Sequence, residues 1–224
     1  HGPQFVSASQ LFKLTLLSQM TDTNITDCEC EAHPVVWKWK FDWQTIAKFI
    51  DVVHPPLKEQ IQSQLLNSSL PFPSHQPSNV LHVKLDSADL EHYSKKFKIP
   101  LTTYRDNLIS CYLKMCKLYF NTSEPLYVIG THPRISIFRH LEGLGFTPFT
   151  KPTIQLILNN NVTAIGREIN ALAEVVVLDS IITPKKMILN AGIPFGSSFS
   201  NLIAARHLNA TIYWLNLDAD LCTT

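Results

Sequence analysis

The chain has 224 residues, 45% of them hydrophobic and 17% charged, and a formal net charge of +1 at pH 7. This length suits one large domain, or a main domain with an N-terminal appendage. The near-zero charge excludes a broad electrostatic surface for nucleic acid or membrane headgroups, and no apolar run is long enough to span a bilayer.

In chain order, residues 7–20 have the periodicity of an amphipathic helix capped by Ser7 or Ser9. Residues 22–34 are polar, contain Cys28 and Cys30, and form an exposed loop. From Val35 to Phe41 apolar residues alternate with Lys38 and Lys40, the pattern of a half-buried strand; two lysines are too few for a basic-aromatic surface that binds nucleic acid. Asp42 caps a helix to about Val53, and Pro55-Pro56 opens another that runs from Leu57 to Leu66. The Ser- and Pro-rich stretch from Asn67 to Asn79 is a surface connection. It joins an N-terminal, mostly helical portion, residues 1–78, to a core domain, residues 79–224.

From Val80 onward, short apolar runs alternate with helical segments. Strands are predicted at Val80–Leu85, Leu126–Gly130, Phe146–Phe149, Met187–Asn190 and Ala210–Leu215. Helices are predicted at Ser87–Phe97 and Thr102–Tyr119, the latter with a stripe of Leu108, Tyr112, Met115 and Tyr119. Further helices begin at Pro133 (ended by Gly143 and Gly145), at Thr163 (running to Ile182) and at Ser197 (running to His207). This alternation predicts an α/β fold: a Rossmann-like parallel sheet flanked by helices, with ligands bound at the carboxyl ends of the strands. There is no Gly-x-Gly-x-x-Gly after the first strand, no Walker lysine motif and no Gly-x-Ser-x-Gly elbow.

Five Asn-x-Ser/Thr triplets occur, at Asn24, Asn67, Asn121, Asn161 and Asn209, against roughly two expected by chance. The excess predicts a glycoprotein of the secretory pathway or the extracellular space. Cys111 and Cys116 stand on different faces of one helix, so each pairs with a distant partner in a disulfide or packs as a buried thiol. Neither pair of neighbouring cysteines has a second half at zinc spacing, and no metal site is expected.

The chemistry concentrates in Asn190–Ser200. There an apolar run meets a loop with Gly192, Pro194 and Gly196, and Ser197, Ser198 and Ser200 open a helix. Such a helix start directs backbone N–H groups and a positive end at one spot and suits a phosphate. His82 and Lys84 alternate on the first strand and so point to one face, while Thr131, His132 and Arg134 follow the second strand. A cation, hydroxyls and a helix N-terminus at one sheet edge are the groups that hold a diphosphate. Each residue also has a plainer role: a hydrogen bond within the sheet for His82, solvated charge for Lys84 and Arg134, helix capping for the serines.

These motifs resemble those of the GDP-fucose protein O-fucosyltransferase family. Pro55-Pro56-Leu57 before a helix, and a strand bearing His-x-basic (His82, Lys84), are similar to the surroundings of that family's His-x-Arg motif. Tyr127-Val128-Ile129-Gly130-Thr131 is similar to its next strand, and the helix through Glu174 and Asp179 followed by Ser197-Ser198-Phe199-Ser200 resembles its final nucleotide-sugar motif. The resemblance spans residues 52–208 and implies the C-terminal, donor-binding half of a GT-B glycosyltransferase. It implies transfer of fucose from GDP-fucose to a Ser or Thr hydroxyl of a protein acceptor, with no cofactor beyond the donor. Lys84 and His82 would serve the reaction; Gly196, Ser197, Ser198, Phe199, Ser200 and Arg134 would bind the donor.

The chain also departs from the family. Lys84 replaces an arginine and lacks its bidentate fork. Lys185 and Lys186 stand near the place where the family has an acidic residue. A length of 224 residues leaves little room for an acceptor-binding half, so a piece of a longer protein, a chain completed by a partner, or a shortened relative is expected. A second expectation follows, of a catalytically degenerate relative serving as a secreted binding or structural module.

Overall fold

A computed structural model of the chain describes residues 55–67, 77–130, 137–151, 156–158, 161–163, 167–191 and 197–216. The helices expected at 7–20 and from Asp42, the strand at 35–41, and Cys28 and Cys30 lie outside them. The described elements are, in order, α1 (Pro55–Leu66), β1 (Pro77–His82), α2 (Ser87–Phe97), α3 (Leu101–Tyr119), β2 (Leu126–Ile129), α4 (Ile137–Gly143) and β3 (Pro148–Phe149). There follow β4 (Leu156–Leu158), β5 (Asn161–Thr163), α5 (Arg167–Ser180), β6 (Thr183–Ala191), α6 (Ser198–Arg206) and β7 (Thr211–Asn216).

Five strands form one parallel sheet in the order β3-β2-β1-β6-β7, the Rossmann-like α/β arrangement. The chain builds the sheet outward from β1 through β2 to β3, then returns to pair β6 with the other side of β1. The strand order therefore reverses between β1 and β6, and open α/β sheets bind ligands at such a switch point.

Both faces of the sheet are covered, and strand residues alternate between them as the period of two requires. Val80, Tyr127, Ile129, Met187 and Leu189 pack against α1, α5 and α6 through Ile61, Leu65, Val176 and Ile203. Leu81, Leu126, Val128 and Ile188 pack against α2, α3 and α4 through Leu90, Tyr104, Leu108, Tyr112 and Ile137. The helix opened by Pro55-Pro56 thus shares a core with the sheet.

Two differences from the sequence reading have clear causes. The apolar run Val80–Leu85 yields a strand that stops at His82, because Asp86 accepts the Asp89 N–H at 2.9 Å and sets the start of α2. Where one long helix was expected from Thr163, Thr163 pairs instead with Leu156 in the β4–β5 hairpin, and α5 begins at Arg167. β6 is also longer than its apolar run: Lys185 and Lys186 lie on it with their ammonium groups carried to Glu124 and to the Tyr119 carbonyl. Gly145 ends the α4 turn with φ +86°. Of the two cysteines on α3, Cys116 is a buried free thiol, its pKa pushed up to about 12 by burial.

Candidate functional site at the topological switch point

Asn190, near the carboxyl end of β6, is fully buried and holds the switch point together. Its backbone N–H donates to the Ser200 hydroxyl at 3.1 Å, and its carbonyl accepts the Ser197 N–H at 3.2 Å. Its side chain accepts from the Tyr112 hydroxyl at 2.6 Å and donates to the His82 carbonyl at 2.6 Å. The Tyr112 hydroxyl in turn accepts the Lys84 N–H at 3.0 Å. One residue thus fixes the ends of β1 and β6 and a tyrosine from α3 through its side chain, and the first turn of α6 through its backbone. A network so fully satisfied rigidifies its surroundings.

α6 starts where it does because Ser197 is in extended conformation and its hydroxyl accepts the Ser200 N–H. The Ser200 hydroxyl lies 2.7 Å from His82 Nδ1. That hydroxyl also accepts the Asn190 N–H, and with one donor and two acceptor sites it bonds Nδ1 in either imidazole tautomer. The ring also meets Phe199 edge-on, centroids 5.4 Å apart. Burial, with Lys84 nearby, lowers the His82 pKa to about 3, so the imidazole is neutral at physiological pH.

His82, Lys84, Asp86, Asp89, Gly130, Glu174 and Phe199 line a cleft of about 110 Å³ beside these groups. Small-molecule pockets begin near ~300 Å³, so this cleft suits one phosphate-sized or hydroxyl-bearing end of a ligand. Lys84 lies two residues beyond β1, and its ammonium donates to Asp89 on α2 at 2.8 Å. The expectation that His82 and Lys84 continue one strand face is corrected here: both reach the cleft, but Lys84 does so from the loop.

Glu174 on α5 is the acid that sequence reasoning did not place in a site. It is buried, accepts from the Tyr127 hydroxyl, and has Lys151 Nζ 3.8 Å from its other oxygen. Burial raises its pKa to about 7, against the opposing pull of Lys151 and Tyr127. A carboxyl with this pKa exchanges its proton readily near neutral pH, as an acid–base group must. Asn190 was likewise read as the end of a strand and the first residue of the glycine–serine stretch, with no role given to its side chain. A lone amide at the end of a buried strand is the signal that marks it.

The structure brings together His82, Lys84, Ser197, Phe199 and Ser200. The Ser197 and Ser200 hydroxyls bond within the protein. Ser198 is the first residue of α6. Gly196 and Arg134, with Thr131 and His132, lie outside the described residues. Among the glycosylation candidates, Asn67, Asn121 and Asn209 are exposed, Asn161 begins β5, and Asn24 lies outside the described residues.

Comparison with protein-family models, curated proteins and solved structures finds no match to this chain. The fold and the site define a Rossmann-like α/β protein with a polar cleft at its switch point. No described helix is long and apolar enough to cross a membrane.

Proposed function

We propose that the switch-point cleft is the donor site of a glycosyltransferase-like protein related to the GDP-fucose protein O-fucosyltransferases, acting in the secretory pathway. The observation that carries this reading is the convergence of the capped N-terminus of α6 with His82 and Lys84 at the carboxyl ends of β1 and β6. A helix N-terminus and an ammonium group favour a diphosphate. The cleft receives one end of the donor, and an acceptor-binding half or partner chain completes the site. In the transfer, the oxygen of a Ser or Thr hydroxyl bonds to the anomeric carbon of fucose and its proton passes to solvent. The bond from that carbon to the diphosphate breaks, and GDP leaves with the electron pair. Lys84 and the α6 backbone stabilise the departing charge.

Exposed Asn67, Asn121 and Asn209 agree with a glycoprotein. The second reading, a binding module that has lost its chemistry, is favoured by one observation: the Lys84 ammonium is already held by Asp89. Titration calorimetry with GDP and with GDP-fucose separates the two. Binding of both supports the donor site, and the absence of heat with either at millimolar concentration removes it.

A further inference from the structure

We infer that the Lys84–Asp89 ion pair is a latch on the cleft: a phosphate-class anion binds by replacing Asp89 at the Lys84 ammonium, so Asp89 is the residue that sets the anion affinity of the site. The inference deepens the donor-site reading and rests on it for the identity of the anion.

The two ends of the pair differ in how firmly they are held. The Lys84 backbone is fixed to the core through its N–H bond to the Tyr112 hydroxyl, and Tyr112 is itself fixed by Asn190. From that anchored base the lysine side chain is a flexible four-carbon arm with a point charge at its tip. Its ammonium is 2.8 Å from Asp89, and the two side chains are 16% and 20% exposed. A pair at this depth is reachable by solvent and by an incoming anion.

Asp89 does not depend on Lys84 for compensation. It lies in the first turn of α2, where the helix N-terminus favours a carboxylate. The pair therefore opens without stranding either charge: Asp89 keeps the helix end, and Lys84 takes the anion. The closed pair also explains how one lysine stands among Asp86, Asp89 and Glu174 in the cleft wall. With Asp89 on the ammonium, an anion meets a cleft with an excess of carboxyl groups. Neutralising Asp89 both frees the arm and removes one repelling charge.

The test is calorimetric titration of GDP into the full chain at pH 7, comparing wild type, Asp89→Asn and the double variant Lys84→Gln/Asp89→Asn. Asp89→Ser serves as a second variant should the first fail to fold. The expected result is an affinity about tenfold or more higher in Asp89→Asn, with the gain lost in the double variant. GDP binding by Asp89→Asn but not by wild type supports the latch while removing the native donor site. Equal or weaker binding by Asp89→Asn, with wild type binding, overturns the latch and leaves the donor reading standing. A gain that persists in the double variant also overturns the latch, since it does not pass through Lys84. Binding by none of the proteins overturns both.

Discussion

Asn190 donates from its side-chain nitrogen to the His82 carbonyl at 2.6 Å, joining β6 to β1 beyond their last paired residues, Leu81 and Ile188. A side chain thus continues the ladder where the backbone can no longer do so. Tyr112 orients that amide by donating to its oxygen while accepting the Lys84 N–H. Tyr112→Phe leaves the buried Asn190 oxygen and the part-buried Lys84 N–H short of a partner, which costs about 1–3 kcal/mol. Urea denaturation will show a lower midpoint with an unchanged slope.

Ser200→Ala removes the hydroxyl that serves both Asn190 and His82. A loss of about 1–3 kcal/mol is expected, with α6 retained because its cap comes from Ser197. Chemical denaturation measures the loss, and the far-ultraviolet dichroism of the native state stays unchanged.

The two perturbed groups of the cleft impose opposite pH dependences on stability. The His82 pKa falls from 6.5 to about 3 on folding. Its contribution is present above pH 6.5 and is lost as pH falls towards 3, because the unfolded chain takes up the proton first. The Glu174 pKa rises from 4.5 to about 7. Its contribution is present below pH 4.5 and is lost as pH rises through 7, because the native carboxyl holds its proton longer. Between pH 4.5 and 6.5 the slopes oppose, each at about 1.4 kcal/mol per pH unit at most, and wild-type stability changes little from these groups. Glu174→Gln unmasks a rise in stability with pH over that window; His82→Asn unmasks a fall that continues to about pH 7. Denaturant melts at half-unit intervals test both, and identical profiles for the three proteins would show that neither group is buried as described.

Gly130 ends β2 against Val83: a Cβ at this position would lie 2.7 Å from a Val83 methyl and 3.1 Å from its carbonyl oxygen. Gly130→Ala therefore destabilises by about 1–3 kcal/mol through overpacking. In Gly130→Ala/Val83→Ala the methyl clash is gone while the carbonyl contact remains. The double variant recovers part of the Gly130→Ala penalty, after allowance for the cost of Val83→Ala alone. A thermal-denaturation cycle on the four proteins gives the coupling directly.

The alternation of short apolar runs with helical stripes made the α/β class legible. Val80–Leu81, Leu126–Ile129 and Met187–Leu189 are apolar on both sides because helices cover both faces. The capped start of α6 was legible for a similar reason, since Ser197 acts on a residue three positions away. What depended on distant contacts was not legible. The misreading of Lys84 was of another kind: the Asp86 cap and the Asp89 carboxylate that takes its ammonium are two and five positions away, but the apolar run through Leu85 masked the cap. The β4–β5 hairpin was hidden because three-residue strands are too short for a period to register.

The sequence by itself determined the alternation of the main sheet's strands with helices, the two-sided burial of the central strands and the serine cap of α6, since each is a periodicity or a contact within one turn. Only the tertiary structure decided that β6 returns beside β1 and creates a switch point there. It also decided that Asn190 spans that point and that Glu174, from the middle of a helix, becomes a buried cleft acid. Strand order and the desolvation of a carboxyl arise from residues tens of positions apart meeting in one place, and no local pattern records that meeting.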